Sequence, residues 1–200
     1  MPVTLASRPG RLEERKARTR AAIISAAAEL FTELGFERTS IQLIAERAST
    51  GLGTVYGYFG SKEELLTAVV RARSEHELDR FRAGLVIGTP TPELIIAVLE
   101  RVRTYAEENR PILLAAIGTR LPAATEAEEI GGWVVQAFRL LLQLGIDRGE
   151  IRPLPADTTA RMLTSMALAC GIGMGAWPSP AGAERVSAEM KQIVRAMLGT

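Results

Sequence analysis

Residues 48–65 read ASTGLGTVYGYFGSKEEL. Four glycines (Gly51, Gly53, Gly57, Gly60) and three aromatics (Tyr56, Tyr58, Phe59) share this short stretch, and amphipathic helix lies on both sides of it. A glycine in a helix interior costs about 1 kcal/mol relative to alanine. A helix built here is weak by composition, so its residues serve something other than local stability.

Working upstream, RKARTRAAIISAAAELFTELGF places Ile23, Ala27, Leu30, Phe31 and Leu34 on one helical face and stops at Gly35, a helix-ending residue type. The next segment, ERTSIQLIAERA, is a helix of about two turns with Ile41, Ile44 and Ala45 facing inward. Thr39 or Ser40 caps it; with Thr39 as the cap, Gln42 stands at the third helical position and completes a capping box. A turn of about four residues leads to a short helix that starts at Thr50 or Gly51 and runs through Val55 to Tyr58. Ser61 caps the following long helix, with Glu64 as its box partner. Three compact helices, the last two joined by a tight turn, make the helix-turn-helix pattern.

Downstream, GTPTP (Gly88–Pro92) breaks the chain before a helix from about Pro92 to Glu108, another from Asn109 to about Arg120 and a long one to about Gly149. GEIRPLPAD is a loop whose Asp157 caps the next helix, and after WPSPAG a last helix ends near Leu198. The expected fold is all-α, about nine helices: a DNA-binding domain over 1–60 with a basic tail at about 1–12, and a larger helical domain over 61–200.

Charge supports this division. The whole chain carries 24 basic and 23 acidic residues, but residues 1–62 hold nine basic against six acidic. Arg8, Arg11, Arg15, Lys16, Arg18 and Arg20 face only Glu13 and Glu14, a basic end suited to a polyanion, or to a solvated helix face with a frayed tail. A single cysteine, Cys170, excludes an intrachain disulfide framework and fits a reducing compartment. The longest apolar run, Met166–Trp177, is too short to span a bilayer. A cytoplasmic protein with no membrane partner is expected. The lone His76 sits among charges mid-helix, Cys170 has no activating neighbour in sequence, and no metal-ligand cluster, phosphate loop or nucleophile elbow is present. No enzyme activity, cofactor or metal is expected.

FTELGFERTSIQLIAERASTGLGTVYGYFGSKEELL resembles the DNA-binding domain of the TetR family of one-component regulators, through Phe31, Gly35, Thr39–Ser40, Ile44–Ala45, Ala48, Gly53–Thr54, Tyr56, Tyr58–Phe59, Ser61–Lys62 and Leu65. The resemblance implies that Gly51–Tyr58 is the recognition helix. It assigns to DNA the residues Ser40, Gln42, Thr50, Gly51, Leu52, Gly53, Thr54, Tyr56, Tyr58 and Lys62. Gly53 would admit the DNA backbone, and Tyr56, Tyr58 and Lys62 would contact phosphates, with ordinary packing the alternative for the tyrosines. Phe59 would anchor the core. Gln42 falls where the family often reads a base, which competes with its capping role. The chain departs from the family at the turn, where Ser49–Thr50–Gly51 replaces Gly-Val-Ser. The helix also lacks Arg, Lys, Asn and Gln, the side chains that read base edges by paired hydrogen bonds. Leu52 and Thr54 could touch thymine methyls instead.

In residues 66–200 the resemblance is architectural. EEIGGWVVQAFRLLLQLGI and ARMLTSMALACGIGMGAW are apolar nearly all round, so one side of each should face a partner. Gly131, Gly132, Ala160, Ala167, Ala169, Gly171 and Gly173 would permit close packing there, in a two-fold dimer closed by a four-helix bundle. The family keeps an effector cavity in this domain; its candidate lining is Phe81, Leu99, Tyr105, Leu113, Trp133, Phe138, Met162 and Met166, suited to an apolar or aromatic small molecule. The function expected is a ligand-released, dimeric repressor of a palindromic operator. A helical small-molecule binding protein without DNA binding is the alternative.

Overall fold

The computed structural model describes residues 10–83, 88–119, 125–173 and 180–199, with side chains there except at 81–82, 125–131, 180–184 and 186. Nine helices and no strand occur among them: α1 Arg11–Glu33, α2 Ile41–Arg47, α3 Leu52–Tyr58, α4 Lys62–Ala83, α5 Thr91–Glu108, α6 Arg110–Gly118, α7 Thr125–Asp147, α8 Ala156–Ile172 and α9 Pro180–Leu198. None is long and apolar enough to cross a membrane. The chain divides into two compact units, Met1–Val69 and Val70–Thr200, so the division falls within α4.

In the first unit, Ile23, Ala26, Ala27, Leu30 and Phe31 form the buried stripe of α1. Gly35, at φ +82°, ends the helix, as its lack of a Cβ allows. Ile44 and Ala45 of α2, Val55 of α3, and Phe36, Phe59, Leu65 and Leu66 complete this core. Ser40 is the cap of α2: its hydroxyl accepts from the Leu43 N–H at 3.2 Å. Of the two candidate caps it is Ser40 that serves, so the box that Thr39 would have completed with Gln42 does not form. The buried Thr39 hydroxyl is instead directed at the carbonyls of Gly35 (2.8 Å) and Leu30 (3.2 Å), fastening the α1–α2 turn. Ser61 caps α4 through the Glu64 N–H (3.0 Å), while the Glu64 carboxylate accepts from the Gly60 N–H (2.7 Å), one residue earlier than the usual box.

In the second unit, α5, α7 and α8 pack around a core that includes Ile95, Leu99, Val102, Phe138, Leu142, Ala160, Leu163 and Ala167, with Met190, Val194 and Leu198 contributed by α9. The loop after α7 ties its parts together. Gly149 (φ +69°) turns the chain, Ile151 is buried, the Glu150 carboxylate accepts from the first N–H of α5 at Thr91 (2.7 Å), and the Arg152 guanidinium donates to the Met197 carbonyl (2.7 Å). Asp157 does not cap α8. The helix starts two residues earlier, with Pro155 at the cap position, and Asp157 pairs with Arg161 one turn on at 3.1 Å. The Asp-Thr-Thr signal marks the right place, but proline's fixed φ sets the boundary.

Candidate nucleic-acid interface

The helix-turn-helix geometry begins with two bonds at the end of α2. Ser49 donates its N–H to the Glu46 carbonyl (3.1 Å) and Thr50 donates to the Ala45 carbonyl (2.9 Å). This is the Schellman closure of a helix, and it requires a left-handed residue at the turn. Ser49 occupies it at φ +52°, the one non-glycine residue with positive φ among the described residues. Gly51 then takes the N-cap of α3 with extended backbone and no side-chain acceptor.

Of the α3 side chains, only Val55 is buried. Leu52 is 45% and Tyr56 54% exposed; Thr54 is exposed as well, and Tyr58 is half-buried. A Cβ added at Gly53 or Gly57 would meet nothing within 4 Å, and neither has positive φ. The chain's own packing therefore gives no reason for glycine at either position, in a helix that each glycine weakens. Close approach by something outside the chain supplies a reason.

Phe59 is buried as expected, beneath the Arg20 guanidinium of α1, whose carbon lies 5.3 Å from the ring centroid. Gln42 is exposed, and its amide donates to the Glu46 carboxylate at 3.2 Å, so no capping duty holds it. Ser40 and Thr50 have backbone roles in the turns that flank α2.

Lys62 is more constrained than a phosphate contact alone requires. Its ammonium donates to the carbonyls of Phe36 (2.9 Å) and Thr39 (3.2 Å) and lies 4.3 Å from the centroid of the Phe36 ring. Two of its three donors are thus engaged in bridging the start of α4 to the α1–α2 turn.

Three further features of the unit do not follow from the sequence reading. They are the Thr39 fastening, the Arg20–Phe59 stacking and a bridge in which Arg47 of α2 reaches Glu29 (3.2 Å) and Glu33 (3.0 Å) of α1. Glu29 and Glu33 are one helical turn apart, a carboxylate pair that could have announced the bridge. The Arg47 hydrogen bond holds the Glu33 carboxyl below its ordinary range.

In the second unit, the residues expected to line an effector cavity divide. Leu99 and Phe138 lie fully inside the core, with Trp133 and Met166 packed against it. Tyr105 is buried, its hydroxyl 3.2 Å from that of Ser74 on α4, and Leu113 is half-buried. Met162, at 62% exposure, faces outward and does not line an interior cavity. The Phe81 side chain and the surroundings of Gly131 lie outside what is described.

The expected partner face also changes. Gly171 faces α5, where an added Cβ would run into the Arg103 carbonyl and come within 2.6 Å of the Ala106 Cβ. Ala160 and Ala167 are likewise buried within the chain. Among the described residues, exposed apolar side chains of this unit include Leu114 and Ile117 on α6 and a band on α8 and α9, where Met162 and Ile193 (60% exposed) border two grooves of about 500 and 400 Å³ that share Met166 and Ile193. Helix α7 adds exposed Leu140 and Leu144. A helix that is apolar all round has an inner and an outer side, and these small residues of α8 belong to the inner one.

Comparison with known proteins agrees with this geometry. Residues 23–69 match the family model described as bacterial regulatory proteins, tetR family. Over 165 residues the chain is 27% identical to an uncharacterized HTH-type transcriptional regulator of Bacillus subtilis, YfiR, covering 77% of this chain and 78% of that one. It is 30% identical over 148 residues to the A-factor receptor protein of Streptomyces griseus, covering 70% of this chain and 49% of that protein. Among solved structures, the transcriptional regulator FadR of Bacillus subtilis in complex with stearoyl-CoA shares the fold, with a TM-score of 0.70 at 19% identity, over 88% of this chain and 98% of that one. The chain belongs to the TetR family and is a DNA-binding transcriptional regulator.

Proposed function

We propose that the protein is a repressor that binds a palindromic operator as a homodimer and leaves it when a small apolar effector enters the second unit. The observation that carries the DNA-facing part is the surface of α3, with Leu52, Thr54 and Tyr56 exposed beside two glycines that the fold leaves open. Sequence is read there by shape and by apolar contact with thymine methyls, because α3 carries no Arg, Lys, Asn or Gln. Gln42, free of capping duty, is a polar reader on α2. Ser40, Thr50, Gly51, Gly53, Tyr58 and Lys62 border this surface in sequence and fold and hold backbone phosphates or admit them. Lys62 does so from a position already fixed by Phe36 and Thr39.

The partner is a second copy, seated on the α8–α9 band. Two recognition helices held about one DNA turn apart (roughly 34–36 Å) then read the two half-sites together. The grooves are apolar along Met162, Met166 and Ile193 and edged by Arg161, Arg185 and Glu189, so an isologous contact pairs apolar with apolar at its centre. The effector site draws on the core around Leu99, Phe138, Trp133, Tyr105, Leu113 and Met166. The stearoyl-CoA bound to FadR supports an apolar ligand on this fold. The protein acts in the cytoplasm without catalytic chemistry.

Gly53→Ala is the decisive variant. It should raise the stability of the folded protein by about 1 kcal/mol in denaturant titration, the helix-propensity gain, and weaken duplex binding in an anisotropy titration. Increased stability with unchanged DNA affinity would remove α3 from the interface, whereas a wild type that binds no duplex at all would favour a ligand carrier without DNA binding.

A further inference from the structure

Helix α1 is longer than its packing needs. It starts at Arg11, and its first buried residue is Ile23, twelve positions on. At 1.5 Å per residue, that is about 18 Å of helix. Residues 11–22 are exposed, apart from the half-buried Thr19. The segment is helical through its composition (Leu, Glu, Arg, Lys, Ala), two acidic residues in its first turn, and the Lys16–Glu13 pair at 3.0 Å.

Its basic residues are arranged in two groups. Arg11, Arg15 and Arg18 follow i, i+4, i+7 spacing, which confines them to a sector of about 60° on a helix advancing 100° per residue. They make no ion pair among the described residues. Lys16 and Arg20 lie on the opposite side, where Lys16 is paired with Glu13 and Arg20 covers Phe59. Phe59 is the residue that ends α3. The Arg20–Phe59 contact therefore fixes where α1 passes the recognition helix, and the arginine stripe extends from about 3 to about 14 Å beyond that point along the α1 axis.

We infer that Arg11, Arg15 and Arg18 form a second DNA contact, a sequence-independent grip on the phosphate backbone beside the base pairs that α3 reads. Duplex DNA offers one negative charge per about 1.7 Å of axis. The roughly 10 Å from Arg11 to Arg18 therefore faces several phosphates at once. Guanidinium groups bind phosphate oxygens through two parallel N–H donors, and being more weakly hydrated than ammonium they desolvate at lower cost. The grip also supplies charge that α3 lacks and that Arg47, committed to Glu29 and Glu33, does not provide. The inference rests on the DNA-binding reading and extends the interface beyond the residues assigned to it above.

The test compares the full-length protein with a triple Arg11→Gln, Arg15→Gln, Arg18→Gln variant and with the matching triple lysine variant. The probe is a random-sequence duplex of about three helical turns, titrated across salt concentration. Glutamine keeps helix propensity, and the positions are unpacked, so the thermal midpoint should not move. The slope of log affinity against log salt should become shallower by about 2.7 per bound protomer in the glutamine variant, about 0.9 for each phosphate that is no longer neutralised. The lysine variant should retain most of the wild-type slope. Equal slopes in wild type and glutamine variant would overturn the grip and leave DNA binding through α3 intact. A lysine variant as weak as the glutamine one would also overturn it, since the interaction would then not be one of charge. Failure of the wild type to bind duplex at low salt would overturn both this inference and the DNA-binding reading.

Discussion

Ser49 has a backbone conformation that an L-residue adopts at a cost of about 1–2 kcal/mol. The same closure ends α7, where Gly149 donates to Ile146 and Glu150 to Gly145, and there glycine takes the left-handed position at φ +69°. The two turns differ in which residue carries the positive φ. Ser49→Gly should therefore stabilise the protein by about 1 kcal/mol, measured as a higher denaturant midpoint at unchanged slope. An unchanged midpoint would mean that the exposed Ser49 side chain recovers the strain through interactions of its own. Two residues on, the family's capping serine is replaced by Gly51, which leaves the first turn of α3 held only by backbone bonds from Thr54 and Val55 to the Gly51 carbonyl. Both departures from the family pattern fall at the α2–α3 turn, and both weaken the frame of the recognition helix.

At the scale of elements, most of the helices are legible in the sequence because their apolar residues recur every three to four positions and Gly, Pro and Ser mark their ends. Misreadings arise where one signal serves two purposes. Thr39 and Ser40 are both good caps, and the carbonyls of Leu30 and Gly35 decide between them by engaging the Thr39 hydroxyl. Asp157 is a good cap, but Pro155 comes first. The small residues of α8 are legible as close-packing sites, while periodicity cannot say which neighbour they approach. Gly171 answers this. Its Cα side lies against the α5 backbone at Arg103, so the ordinary gain of about 1 kcal/mol from Gly to Ala in a helix is reversed there. Gly171→Ala should destabilise the protein by about 1–3 kcal/mol through overpacking, read as a fall in the thermal midpoint. A gain would show that α5 and α8 can separate freely.

For the molecule as a whole, acid is the condition that loosens its fastenings together. Arg47 hydrogen bonding lowers the pKa of Glu33. The Thr91 N–H lowers that of Glu150. For Glu100, partial burial raises the pKa, but donation from the Ser187 hydroxyl and Arg103, with the Lys191 charge nearby, outweighs burial and the net shift is downward. A carboxyl with a lowered folded-state pKa binds protons more readily when unfolded. Its contribution is complete above the ordinary value of 4.5 and is lost as pH falls through the lower folded value. These groups hold α2 to α1, the start of α5 to the α7–α8 loop, and α9 to α5. Thermal midpoints should stay level from neutral pH down to about 5 and then decline progressively. A midpoint that rises below pH 4.5 would contradict the sign of all three shifts.

The α8–α9 grooves have one more property. Cys170, the only cysteine of the chain, is buried and lines one of them together with Met166 and Ile193, and its burial pushes the thiol pKa up. A thiol with a raised pKa is a slow nucleophile at neutral pH, so what reactivity it has is governed by access. With a second copy on the groove, a thiol reagent would reach Cys170 only after the pair parts. The labelling rate should then fall as protein concentration rises and level off once dimer predominates, turning a native side chain into a clock for subunit exchange. A rate independent of concentration would place the partner, or its absence, elsewhere on the molecule.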